Sequence, residues 1–163
     1  MQETPASPVE LDDLDRRILD QLQRDCALTN QELAARVHAS PPTCLRRVRR
    51  LVETGVVDRQ VAILAPEKLG STLTAIVEVT LDVQAAESLD AFERSLVDEP
   101  AVLQCYRVSP GPDFVVVAQV RDMPAYHALV HRAFTAQANV RNVRTFFSVH
   151  RSKFETRIDV SAE

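Results

Sequence analysis

The sequence predicts an α+β chain in two parts, three short helices followed by a unit in which strands and helices alternate as βαββαβ. Three observations carry this. From Leu11 to about Gly55 the apolar residues recur at helical spacing. From Thr72 onward, stretches of period two alternate with two helical stretches. Between these halves, Val56 to Leu64 suits an extended wing or connector, ended by Pro66. The expected organisation is a flexible arm over 1–10, a first domain over 11–58, an extended linker over 59–70, a second domain over 71–155 and a tail over 156–163.

The elements follow in order. Residues 1–10 carry Pro5 and Pro8 among small and polar neighbours with no apolar repeat, hence the arm. Leu11, Leu14, Ile18, Leu19 and Leu22 share one stripe of a first helix running to Arg24. A second helix opens at Thr29-Asn30-Gln31-Glu32, where a Thr oxygen and a Glu side chain can satisfy free amides at the helix start. Its core face is Leu33, Ala34 and Val37. After a tight turn at His38-Ala39, a third helix opens at Ser40-Pro41-Pro42 and stops at Gly55, with Ser as N-cap and Pro where a missing N–H costs nothing.

In the second half we expect strands over 72–81, 101–108, 113–121 and 143–151, and helices over 88–97 and 124–136. This order is the ferredoxin-like plan. Leu89, Phe92 and Leu96 in one helix, and Leu129, Val130, Ala133 and Phe134 in the other, form apolar faces that should cover one side of the sheet. The opposite side would carry Ile76, Val115 and Val117, a patch too apolar to leave in water, so self-association is expected.

Composition narrows the function. With 163 residues, 45% of them hydrophobic and 26% charged, the chain can bury enough apolar area to fold as a soluble globular protein. Cys26, Cys44 and Cys105 are odd in number and form no CxxC pair, which speaks against a disulfide framework or a zinc knuckle and for a cytoplasmic setting. No apolar run approaches the roughly 20 residues of a membrane-spanning helix. A net charge of −4 argues against wholesale coating of nucleic acid, so DNA binding must come from local basic patches.

The third helix holds such a patch. On a wheel of 100° per residue, Leu45, Val48, Leu51 and Val52 gather on one side, Thr43, Arg46 and Arg50 fall opposite, and Arg47 and Arg49 flank. A guanidinium fork binds guanine O6 and N7 or clamps a phosphate, and a helix N-terminus adds free amides that favour phosphate. For an isolated helix the bland explanation, a solvated charged face, would be preferred. Two preceding helices and the tight turn reverse that preference, because together they make a helix-turn-helix, expected here in its winged form, which lays its third helix in the major groove. The expected DNA contacts are Ser40, Pro42, Thr43, Arg46, Arg47, Arg49 and Arg50. Within this set Thr43, Arg46 and Arg47 approach bases, while Arg49 and Arg50 meet phosphates.

Taken together, Leu14-Asp15-Arg16-Arg17-Ile18-Leu19, the run from Ser40 to Leu51 and Arg121-Asp122-Met123-Pro124-Ala125-Tyr126 resemble the Lrp/AsnC family of feast/famine regulators, from Leu11 to about Lys153. The resemblance implies a second domain of the RAM type, a ligand-regulated oligomerisation module. It also implies dimers that assemble into tetramers, octamers or larger rings and bind small amino acids between dimers. The family's turn between the second and third RAM strands resembles Val-Ser-Gly-Asp-Phe-Asp-Tyr; here it reads Val108-Ser109-Pro110-Gly111-Pro112-Asp113-Phe114. Asp113 matches and is placed to pair with an α-ammonium group, whereas Pro110 and Gly111 replace a glycine and an acid. The effector residues implied are Ser109, Gly111, Asp113 and Thr145 on the final strand. Without a ligand, Asp113 is a turn acid held by local backbone bonds and Thr145 an ordinary strand threonine.

Other chemistry finds less support. His127 and His131 stand four apart on a helix, but the glutamate of HExxH and a third ligand are lacking, so a surface pair is the simpler reading and no metal is expected. Cys44 reads as core filler. With Gly55, Gly70 and Gly111 as its glycines, the chain has no phosphate-cradling loop, and no cofactor beyond the amino-acid effector is expected. Two alternatives to a sequence-specific, non-enzymatic regulator remain. One is an architectural DNA-binding protein without effector; the other is an enzyme like the siroheme decarboxylases, which are similar to this family in architecture but would need a histidine cluster that His38, His127, His131 and His150 do not make in sequence.

Overall fold

The computed structural model describes residues 9–70, 72–137 and 139–161, so the arm expected over 1–10 lies outside the described residues except for its last two. The chain divides into two compact units. One comprises the residues up to Ile63 together with the segment from Lys153; the other runs from Leu64 to Ser152. The end of the chain, expected to close the second domain and run on as a tail, thus packs with the first unit.

The first unit holds α1 (Asp13–Arg24), α2 (Asn30–Arg36) and α3 (Pro41–Glu53). Asp12 caps α1 by accepting from the Asp15 amide at 2.9 Å, and its own N–H donates to the Asp15 carboxylate at 3.2 Å. Thr29 and Glu32 make the same reciprocal box at α2. At the end of α2, His38 adopts φ 53° while its N–H reaches the Ala35 carbonyl and the Ala39 N–H reaches Ala34, at 3.3 and 2.9 Å. This closes the helix in a pattern usually built on glycine and turns the chain sharply into α3. Ile18, Leu19, Leu33, Ala34, Val37, Cys44 and Leu51 form the core between the helices. Gly55, at φ 73°, ends α3 as expected. Beyond it, residues 58–65 belong to no helix or strand among the described residues.

The second unit is a four-stranded antiparallel sheet in the order β2-β3-β1-β4, with β1 (Leu73–Leu81), β2 (Val102–Arg107), β3 (Phe114–Val120) and β4 (Val140–Phe147). Helices α4 (Ala86–Val97) and α5 (Met123–Val130) complete the βαββαβ order. A short π-helical stretch, His131–Thr135, continues α5. Ala75, Val77, Val79 and Leu81 of β1 and Phe114, Val116, Ala118 and Val120 of β3 meet Phe92, Leu96, Leu129 and Phe134 in one core, with the Phe92 and Phe114 rings 4.7 Å apart. The alternate residues Ile76, Val115, Val117 and Phe146 lie on the other face, where Ile76 stays 38% and Phe146 41% exposed. The last strand begins and ends earlier than the expected 143–151. Its register against β1 shifts between Thr80 and Leu81 and runs out at Phe147, opposite Ala75, near the start of β1.

Candidate nucleic-acid interface and ligand turn

Three residues set the position of α3. Ser40 caps it, its Oγ accepting from the Thr43 amide at 3.4 Å and donating to Thr43 Oγ1 at 2.8 Å. Asn30 at the start of α2 donates its side-chain amide to the Pro41 carbonyl at 2.9 Å. The third is Asp15, a fully buried acid on α1. Arg50 pairs with its carboxylate directly, and Arg47 reaches it at 3.3 Å and Asp12 at 2.7 Å. The Asp12 carboxyl is held below the usual carboxylate range, chiefly by the Asp15 amide it caps and further by the charge of Arg47. A charge this deep in a domain persists because every side of it is answered, by the Asp12 amide and two guanidiniums.

This arrangement corrects the wheel. Cys44 and Leu51 are the fully buried residues of α3 and Val48 packs beside them, while Leu45 is 40% and Val52 49% exposed. The core stripe is therefore centred nearer Cys44 than on Leu45 and Val52, and the helix is rotated accordingly. Arg50, expected opposite the core, turns towards α1, and Arg47 lies half-buried beside it. Their Nε atoms are enclosed and without a hydrogen-bond partner. Arg46 and Arg49 take the face opposite the core. Both are exposed, and neither makes an ion pair among the described residues. Pro42 is exposed at the first turn, and Ser40 and Thr43 stand at the same open end of the helix.

Asp15 is the residue that reading the sequence missed, although it left a signal. It falls on the α1 stripe between Leu11 and Ile18, at a position where an acid is tolerated only with a buried partner, and the arginine run of α3 supplies that partner.

In the second unit, Ser109 and Gly111 are exposed in the turn between β2 and β3. Asp113 Oδ2 accepts from the Leu81 amide at 2.7 Å and the Asp113 N–H donates to the Val79 carbonyl at 2.9 Å, so this acid ties the turn to the end of β1. Thr145 stands opposite Val77 in the register, and its hydroxyl hydrogen-bonds the Tyr126 hydroxyl on α5, which places it on the helix-covered side of the sheet. Ser109, Gly111 and Asp113 thus share one turn, while Thr145 has its own partner on another element. Among the described residues no group of three or more His, Cys, Asp or Glu is arranged to hold a metal ion, and His127 and His131 fall on α5 and the π-helical stretch after it. No helix among them is long and apolar enough to cross a membrane.

Comparison with known proteins finds two family models on the chain, the second of which runs past Ser152 into the segment that packs with the first unit. Residues 11–58 match a family model described as winged helix-turn-helix DNA-binding, and residues 74–158 match one described as the Lrp/AsnC ligand binding domain. The leucine-responsive regulatory protein of Rhizobium meliloti is 37% identical over 152 residues, covering 93% of this chain and 97% of its own. That of Escherichia coli is 34% identical over 149 residues, covering 91% of each. Among solved structures, a transcriptional regulator of Neisseria meningitidis in complex with L-Met superposes with a TM-score of 0.85 at 32% identity, covering 91% of this chain and 96% of that one.

Proposed function

The chain belongs to the Lrp/AsnC family of DNA-binding transcriptional regulators, and from that premise we propose that it reads DNA in the cytoplasm, as a homo-oligomer, through the open face of α3 and under the control of a small amino acid. The observation that carries the DNA reading is the split of the arginine cluster. Arg47 and Arg50 are committed inside the domain to Asp15, which leaves Arg46 and Arg49 as the guanidiniums free to meet a duplex. Pro42, Thr43 and the capped helix start beside Ser40 accompany them. In this reading paired helix-turn-helix units meet half-sites about one helical turn apart, or a multiple of it.

Assembly follows from the uncovered sheet face, where Ile76, Val115, Val117 and Phe146 need a partner and a second copy supplies the same surface. The effector reading rests on the likeness to the regulator solved with L-Met and on the exposed turn of Ser109, Gly111 and Asp113. Asp113 Oδ1 carries no hydrogen bond among the described residues and is the acceptor for an α-ammonium group. A bound amino acid alters DNA affinity only to the extent that it prefers one assembly state over another. Its relatives are named as regulators, and we read this chain likewise as a non-enzymatic one.

The test compares affinity for the protein's own upstream region with affinity for random DNA at fixed salt, with and without each of the twenty amino acids in turn, alongside calorimetry and sedimentation. Preference for the upstream region, shifted by at least one amino acid that also releases or absorbs heat, is expected. Equal affinities would replace specific regulation with architectural binding, and a flat calorimetric panel would remove the effector.

A further inference from the structure

The chain passes from the first unit to the second after Ile63 and returns to the first at Lys153, so the second unit is joined to the first at both of its ends. The returning segment docks on α1. Gln23 makes a two-way bond with the backbone of Ile158: its side-chain amide donates to the Ile158 carbonyl at 3.0 Å and its side-chain oxygen accepts from the Ile158 N–H at 2.8 Å. In effect the glutamine amide serves as a strand partner for the segment. Arg16 donates to the Val160 carbonyl at 2.9 Å, and Val160 packs against the apolar core of the unit. Arg157 approaches Asp20, which Arg24 also pairs with, at 3.8 and 3.0 Å.

Two features make this docking specific yet light. Apart from Val160, the side chains from Lys153 to Ser161 are exposed, and a cavity of about 1040 Å³ remains between the segment, α1 and the end of α2, lined by polar side chains such as Arg17, Arg36, His38 and Lys153. The segment is therefore a mostly exposed chain held to α1 by a few bonds, with Val160 seated against the apolar core, and it forms no helix or strand. One of its anchors on α1 is adjacent in sequence to the residue that orients α3: Arg16 holds the segment and Asp15 holds Arg47 and Arg50.

We propose that residues 153–161 form a releasable strap, through which the strand β4, ending a short way upstream at Phe147, gains a second handle on the DNA-binding unit, acting on α1 and through Asp15 on α3. The proposal rests on the DNA-binding reading above for its consequence, though not for the docking itself. Local contacts of this kind open more readily than a core, and a segment anchored in this way shifts between held and released states when either of its ends is displaced.

The test uses the full chain, a variant ending at Ser152, and a full-length double variant, Arg16→Ala with Gln23→Ala, which keeps the segment and removes its anchors. Amide hydrogen exchange along α1, DNA affinity at fixed salt and assembly size are measured for all three. Both variants should exchange faster along α1 and bind DNA about ten-fold more weakly, within the span of ordinary coupling between sites, with exchange in the sheet and assembly size unchanged. Unchanged exchange along α1 in the double variant overturns the strap, whatever the shortened chain does. Faster exchange with full DNA affinity overturns the handle on α3. If the unaltered chain shows no specific DNA binding, the functional reading fails, while the exchange data still decide whether the strap exists.

Discussion

Within the arginine run of α3, four chemically equal side chains have two different surroundings, and burial of a single carboxylate divides them. Asp15 commits Arg47 and Arg50 to holding α3 against α1, so their removal should act on stability, while Arg46 and Arg49 should act on binding. Arg50→Ala leaves a buried acid short of a partner and should lower domain stability by about 2 kcal/mol or more, read as a lower midpoint in denaturant. Arg46→Ala with Arg49→Ala should leave that midpoint nearly unchanged. It should instead flatten the plot of log affinity against log salt by roughly 0.9 for each phosphate that is no longer neutralised. If the double variant unfolds easily and Arg50→Ala only weakens binding, the assignment is reversed.

Each helix and strand carries its own terms, and those of α4 illustrate how a local pair registers as pH dependence. Glu99, just beyond α4, accepts from Arg132 Nε and Nη2, each at 2.7 Å, and this hydrogen bonding holds its carboxyl below the ordinary glutamate range. A carboxyl depressed in the folded state contributes its stability above its unfolded value, about 4.3, and loses it as pH falls through the lower folded value. Glu99→Gln should thus cost about 0.5 to 1 kcal/mol at pH 7, a modest figure because Arg132 is half-exposed. The deficit should shrink below about pH 4.3. Thermal melts of both proteins across that range check it, and a constant deficit down to pH 2 would contradict the role of the pair. Elements of this kind were largely legible beforehand: the Thr29 and Ser40 caps and the stop at Gly55 came from short patterns whose physics is local.

For the whole molecule, the uncovered face of the sheet is the feature that isolated folding leaves unsatisfied. Placing a charge in its middle tests what covers it. Ile76→Glu and Val117→Glu, which stand opposite each other in the β1–β3 register, should each shift the protein to a smaller species in sedimentation. The sheet itself should persist, since both side chains point away from the core of Phe92, Phe114 and Phe134. An unaltered sedimentation coefficient for both variants would move the contact between copies to another surface.

What the sequence determined by itself was the order of elements and the caps at Thr29 and Ser40, because periodicity and end signals act over a few neighbouring residues. It also placed Cys44 in the core and Ile76 outside it. Only the tertiary structure decided which arginines face out, that Asp15 is buried between two of them, that Thr145 is bonded to Tyr126, and that the chain returns at Lys153 to lie on α1. The physical reason is the same in each case. A helix wheel knows the spacing of side chains but not the rotation that packing imposes, and that rotation is set by a partner lying dozens of residues away in the chain.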